Sequence, residues 1–176
     1  MINLLRKRRS IRKFQSLPVE DEKLRLLKES LLRSPSSRGL NPWEFVIVDH
    51  KQTLDQLSLS KQHGSEFLKN SVLAIVILGN EKRSDVWIED CSIASIIVQL
   101  TAEDLGLGSC WVQIRNRNHN DSISSETYVQ QLLQIPSHLR VLSIIGIGYP
   151  DETQTPIAEE NLQFQKIHFN RYEDNT

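Results

Sequence analysis

The sequence predicts a single domain in which helices alternate with short, buried strands. Three observations carry that expectation. The chain has 176 residues, 39% of them hydrophobic. That is the length of one domain at about 150 residues each, and a domain of that size hides roughly 70% of the surface its unfolded form exposes. Short apolar runs are separated by stretches with helical periodicity. No Gly/Ser-rich linker, internal repeat or low-complexity segment divides the chain. Residues 1–176 are therefore expected to form one unit, with 151–176 as a C-terminal extension.

The elements follow in order. Glu20 to Arg33 reads as a helix: Leu24, Leu27 and Leu31 fall on one face, and Glu20, Asp21 and Glu22 sit at the positive end of the dipole. Ser34-Pro35 stops it, because the residue before a proline is pushed out of the α region. Phe45 to Val48 is a short strand and Lys51 to Ser60 a short helix. Val72 to Leu78 has the unbroken apolar run of a strand covered on both faces. Asp90 is expected to cap a long helix that ends near Gly106. Ile93, Ala94, Ile96, Ile97, Val98, Leu100, Ala102 and Leu105 make that helix apolar nearly all round. It belongs at the centre of the protein or of a dimer. Ser109 to Ile114 is a strand candidate, Ser124 to Gln134 a helix ending before Pro136, and Val141 to Ile147 another buried strand. The stretch from Asp151 has little periodicity but carries Phe164, Ile167, Phe169 and Tyr172. A solvated tail has no need of these, so the extension is expected to pack on something, a second subunit included.

Formal charge is −1, from 21 basic and 22 acidic residues, which argues against nucleic-acid binding by bulk charge. The charge is unevenly spread. Residues 1–38 hold 11 of the 21 Lys and Arg, and Arg6, Lys7, Arg8, Arg9, Arg12 and Lys13 all precede the first acid, Glu20. The longest apolar run is seven residues, against the ~20 of a transmembrane helix, and the N-terminus lacks the apolar core of a signal peptide. The expectation is a cytoplasmic protein with neither a membrane nor a nucleic-acid partner. Cys91 and Cys110 form no disulfide framework and no zinc spacing, and are expected to be buried small hydrophobes. His50, His63, His119, His138 and His168 are scattered, so no metal site is expected.

Three segments carry candidate chemistry. In Arg8-Arg9-Ser10-Ile11-Arg12-Lys13-Phe14, alternation along an extended backbone puts Arg8, Ser10 and Arg12 on one side. Guanidinium groups and a hydroxyl suit a phosphate or another anion. Each charge-assisted contact is worth about 1.5–3 kcal/mol, against the ~8 kcal/mol of a micromolar complex. The second is Ser34-Pro35-Ser36-Ser37-Arg38-Gly39-Leu40-Asn41-Pro42-Trp43, whose small and turn-forming residues let a backbone approach a ligand closely. The third is Leu105-Gly106-Leu107-Gly108-Ser109-Cys110-Trp111-Val112-Gln113. It lacks the third glycine of a dinucleotide fingerprint and follows a helix rather than a strand, so no Rossmann site is read there. Taken alone, the three segments also fit a solvated basic face, an ordinary helix-to-strand connection and a helix C-cap.

Together, in this order and spacing, they resemble the nitroreductase family of FMN-dependent oxidoreductases. The matching features are Arg-Arg-Ser-x-Arg at the start, Ser-Pro-Ser-Ser-x-Gly-x-x-Pro-Trp about 25 residues later, and Asp90-x-x-x-Ala94 in the central helix. Leu-Gly-Leu-Gly-Ser-Cys-Trp and Ile145-Gly146-Ile147-Gly148-Tyr149-Pro150 complete the set. The likeness runs from about residue 3 to residue 172 and is greatest to the short members.

The resemblance implies an α+β fold, a mixed, mostly antiparallel sheet flanked by helices, in an intertwined homodimer whose C-terminal segments cross to the partner. It implies two FMN molecules at the dimer interface. Arg8, Arg9, Ser10 and Arg12 match the first FMN-binding motif, with Arg8 and Ser10 toward the phosphate and ribityl chain and Arg12 toward the N1/O2 edge, where a cation stabilises reduced flavin. Pro35, Ser36 and Ser37 would come from the opposite subunit, and Trp111, Val112 and Gln113 would pass backbone groups near N5. Lys166 is the candidate for a C-terminal basic residue on the phosphate, with Arg171 the alternative. The implied reaction is ping-pong, two electrons passing from NADH or NADPH through the flavin to a small-molecule acceptor such as a nitroaromatic or a quinone. No catalytic acid or base is expected. The alternative is a flavin-binding sensor or storage protein with little nicotinamide turnover. Three departures stand out: Gly39 where several members have Asn, Ile114 whose bulk would narrow the pocket, and no clear basic residue soon after Tyr149-Pro150.

Overall fold

The computed structural model of the chain describes residues 1–172, so the last four residues of the expected 151–176 extension lie outside the described residues. In chain order the helices are α1 (Ile2–Lys7), α2 (Asp21–Leu32), α3 (Lys51–Leu57), α4 (Trp87–Asp104) and α5 (Ser125–Leu133). The strands are β1 (Trp43–Val48), β2 (Leu73–Gly79), β3 (Gly108–Gln113) and β4 (Arg140–Gly148). They form one sheet in the order β1-β2-β4-β3, each neighbouring pair antiparallel. Among the described residues, the parallel component of the expected mixed sheet is the bridge from Ser10 to Ser109 on the outer edge of β3.

Side-chain alternation builds the layers. In β2, Ala74, Val76 and Leu78 face Leu54 and Leu57 of α3, Val129 of α5, and Phe67 and Leu68 in the turn before β2. Leu73, Ile75 and Ile77 face Leu27 and Leu31 of α2 and Cys91, Ala94, Val98 and Ala102 of α4. Both central strands read as continuous apolar runs because both faces of the sheet are covered. Ser124 caps α5, its hydroxyl accepting the Thr127 N–H.

Three features differ from the sequence reading. Helix α1 was not foreseen; it is six residues long and buries none of them, too short for periodicity to show. Helix α4 begins at Trp87 with Val86 at the cap position, so Asp90 lies inside the first turn and is not the cap. Nor is α4 enclosed all round. Ala94, Val98 and Ala102 are fully buried, whereas Ile93 and Ile96 remain 38% exposed on the opposite stripe. The extension touches the N-terminal segment through Asp151, Glu152 and Thr155 but leaves its large apolar side chains uncovered within one chain: Ile157, Leu162, Phe164, Ile167, Phe169 and Tyr172 are all exposed. Among the described residues, no helix is long and apolar enough to cross a membrane.

Candidate functional site

The arginine segment is held by its own backbone. The Ile11 N–H donates to the Ser109 carbonyl at 3.0 Å, Gln15 N–H to the Tyr149 carbonyl at 2.9 Å, and Asp151 N–H to the Lys13 carbonyl at 2.9 Å. Ile11 and Phe14 are the buried anchors. Glycines make the floor beneath them: a Cβ at Gly108 would lie 2.9 Å from Ile11, and one at Gly148 would lie 3.1 Å from Phe14. The two glycine-bearing motifs thus let the N-terminal segment lie flat against the ends of β3 and β4.

The Cys110 thiol reports what converges there. Burial pushes its pKa up, while Arg12, a hydrogen bond with Ser10, Arg8 and Lys61 each pull it down. Arg8 and Ser10 line one cavity, and Arg8 and Arg12 both lie near enough to the Cys110 thiol to lower its pKa. The Arg9 guanidinium donates to the Thr155 carbonyl. The backbone N–H groups of Arg12 and Lys13 share Glu152 Oε1, at 2.6 and 3.1 Å. The bond from Arg12 does most to hold that carboxyl below its usual range.

Lys61 is a cation near Cys110 that the sequence reading did not single out. It is half-buried, and its pKa is lowered first by burial and then by the nearby Arg117, against the opposing pull of Glu66. Among the described residues, none of Arg8, Arg12, Lys61 and Arg117 forms an ion pair. Cations with no carboxylate at ion-pair distance make a surface that attracts an anion. Arg8, Arg9 and Ser10 also line a cavity of about 830 Å³ between α1 and the tail residues Pro156, Leu162 and Phe164. A slightly larger cleft, about 890 Å³, opens near Val19, Leu24 and Leu73 and holds none of the expected site residues.

Strand β3 presents an edge beside this cluster. The Ser109 carbonyl points outward to Ile11, whereas the Ile114 N–H points inward to the Leu142 carbonyl. Antiparallel alternation then turns the peptide groups of Trp111 and Gln113 outward and those of Val112 into the sheet. The side chains are fixed too: Trp111 Nε1 donates to Gln113 Oε1 at 3.0 Å, and Gln113 Nε2 to the Arg115 carbonyl at 2.9 Å. Ile114 is fully buried in the core, so its bulk does not narrow any pocket on the edge.

The Pro35–Ser37 loop lies elsewhere. Ser37 N–H donates to Asp90 Oδ1 at 2.8 Å, and Ser36 Oγ pairs with Asn41 through Oδ1 at 2.6 Å and its N–H at 2.9 Å. Arg38 pairs with Asp85. Arg38, Gly39 and Asn41 take φ of 53°, 64° and 47°, and the non-glycine pair costs roughly 1–2 kcal/mol per residue. Such strain persists where surrounding contacts over-determine it. The loop feeds β1, at the opposite sheet edge from β3, three strand spacings or roughly 14 Å away. Within one chain, Pro35, Ser36 and Ser37 do not meet Arg8 and Arg12. Lys166 lies exposed on the tail.

The chain belongs to the nitroreductase family, whose family model matches residues 5–63 and 53–149. It is 30% identical over 172 residues to a candidate NADH dehydrogenase/NAD(P)H nitroreductase of Archaeoglobus fulgidus, covering 95% of each chain. It superposes on an FMN-dependent nitroreductase of Clostridium difficile with a TM-score of 0.96 and 47% identity, over 98% of this chain and 100% of that one. An NADPH:FMN oxidoreductase from Vibrio harveyi shares the fold, with a TM-score of 0.83 at 21% identity over 99% of this chain and 79% of that one.

Proposed function

We propose that this nitroreductase-family protein is an FMN-dependent NAD(P)H oxidoreductase whose flavin sites lie at the seam of a homodimer. What supports the reading is the cavity lined by Arg8 and Ser10 beside β3, where Ser10 bridges to Ser109, with Arg12 and Lys61 close enough to lower the Cys110 pKa. Those residues fit the cofactor. The unpaired cations suit a phosphate dianion, and the outward peptide groups of Trp111 and Gln113 suit the polar edge of a flat ring. The 47%-identical neighbour described as FMN-dependent supports the same group. Bound there, FMN would supply two-electron transfer between NADH or NADPH and an acceptor such as a nitroaromatic or a quinone.

The chain's own residues bind, orient and exclude water. Arg8 and Ser10 hold the phosphate end, while Arg12 and Lys61 place positive charge where reduced flavin gains negative charge. The peptide groups of Trp111 and Gln113 fix the ring, and Val112 keeps β3 in register. Pro35, Ser36 and Ser37 of a second chain cover the ring, which accounts for their place at the far sheet edge. Lys166 of a second chain supplies a further cation at the phosphate. Arg9 acts indirectly, tying the strand to Thr155. No side chain is assigned as a catalytic acid or base. The apolar stripe of Ile93 and Ile96, with the uncovered tail, supports the homodimer. A nicotinamide-dependent reaction suits the cytoplasm.

Anaerobic mixing tests this directly. NADH or NADPH should bleach the bound flavin, and a nitroaromatic or quinone should restore its colour. Flavin that neither nicotinamide bleaches would establish the sensor or storage reading instead. That alternative drew part of its support from Ile114, which the core now accounts for.

A further inference from the structure

We propose that Asp90 is a positioning residue for the cofactor. From inside the first turn of α4 it locks the Pro35–Ser37 loop in the shape that meets FMN held by a second chain. The inference rests on the FMN reading above and adds a residue to it.

Asp90 is 2% exposed, unusual for a carboxylate. It forms no ion pair among the described residues. A buried, unpaired carboxylate is costly, and a protein keeps one where its oxygens have work that an apolar side chain cannot do. Here both oxygens are used: Oδ1 accepts the Ser37 N–H at 2.8 Å and Oδ2 accepts the Ser84 hydroxyl at 3.2 Å. The first turn of α4 adds a field that favours negative charge.

The bond to Ser37 falls at the decisive place in the loop. The next four residues include three with left-handed φ, Arg38, Gly39 and Asn41. The other clasps are local or exposed: Asn41 holds Ser36 from five residues away, and the Arg38–Asp85 pair lies in solvent. Asp90 alone among these clasps reaches the loop from the buried side and from another element. It also divides the labour of the two serines. Asn41 occupies the Ser36 hydroxyl, whereas Asp90 takes only the backbone of Ser37. The Ser37 hydroxyl has no protein partner among the described residues and remains available to the ligand.

The test compares FMN affinity, by quenching of flavin fluorescence, and the visible circular dichroism of the bound flavin across Asp90 variants of the full chain. Asp90→Ala should weaken FMN binding about tenfold, equivalent to about 1.4 kcal/mol, and change the dichroism. Asp90→Asn keeps an acceptor for the Ser37 N–H and should restore both to near-native values. Arg38→Ala, which removes the exposed clasp, should do far less than Asp90→Ala. Native affinity and dichroism in Asp90→Ala would overturn the proposal. If Asp90→Ala does not fold, Asp90→Glu decides. That variant keeps the charge but displaces it by a methylene, so it should bind FMN more weakly than Asp90→Asn; the reverse order would mean that charge, not placement, is what counts. A native chain that binds no FMN would sink the cofactor reading itself, and this proposal with it. Native binding with unaffected variants would sink this proposal alone.

Discussion

The two ends of the chain are treated in opposite ways. The N-terminal segment from Arg8 to Gln15 is pinned to the sheet by backbone hydrogen bonds, two buried anchors and glycine floors. Residues 156–172 hold six large apolar side chains and expose all of them. A single chain meets every need of the first segment except for its cations, and almost none of the needs of the second. What is unsatisfied at one end is charge and at the other is apolar surface. An anionic cofactor answers the first and a second copy of the chain answers the second. The proposed homodimer, with flavin at its seam, would answer both together.

Deleting residues 156–176 should give the largest effect. Large apolar side chains contribute about 1.5–3 kcal/mol each when fully buried. Losing even two of them should weaken self-association by more than about a hundredfold, as sedimentation equilibrium would read. FMN should leave with the dimer. An unchanged dimer would mean that the tail covers nothing.

The arginine end should respond differently. Arg8→Ala/Arg12→Ala removes two charge-assisted contacts, each about 1.5–3 kcal/mol, and should raise the FMN Kd about a hundredfold while the dimer persists. Flavin content that survives this double variant would break the assignment of the cluster.

Next in size is a change beneath the segment. Gly108→Ala places a methyl 2.9 Å from Ile11, and overpacking of that kind costs about 1–3 kcal/mol. The melting temperature and FMN affinity should fall together. Gly146→Ala, opposite Cys110 in the sheet, meets Leu68 and Phe67 at 2.8 Å and should lower the melting temperature as well.

The smallest effect is one of pH. Glu152 is held below the ordinary carboxyl value of 4.5, chiefly by the Arg12 N–H. Its contribution is therefore present above that value and is lost as pH falls through the depressed folded one. The carboxylate is exposed, so the change is small. Melting temperatures taken between about pH 3 and pH 6 should fall less steeply with acid for Glu152→Gln than for the native chain.

Most of the architecture was legible because it rests on periodicity. The strands Val72–Leu78 and Val141–Ile147 read as doubly covered runs and are so, and α2 and α5 fall within a residue or two of where their patterns place them. What escaped depends on contacts between distant segments. Asp90 looked like a cap because an acid stands before an apolar run; its acceptor role needs Ser37, 53 residues away. Lys61 sits between Ser60 and Gln62 in a polar stretch with no motif to mark it, and only the fold brings it to Cys110. Arg8 and Ser10, which line one cavity together with Arg9, were picked out by motif and by alternation.

Sedimentation velocity followed at the visible absorbance of flavin tests the central claim most directly. The coloured species should travel at about twice the 20.3 kDa mass of one chain, with one flavin per chain. Flavin moving with a single chain, or a dimer that carries no colour after incubation with excess FMN, would contradict it.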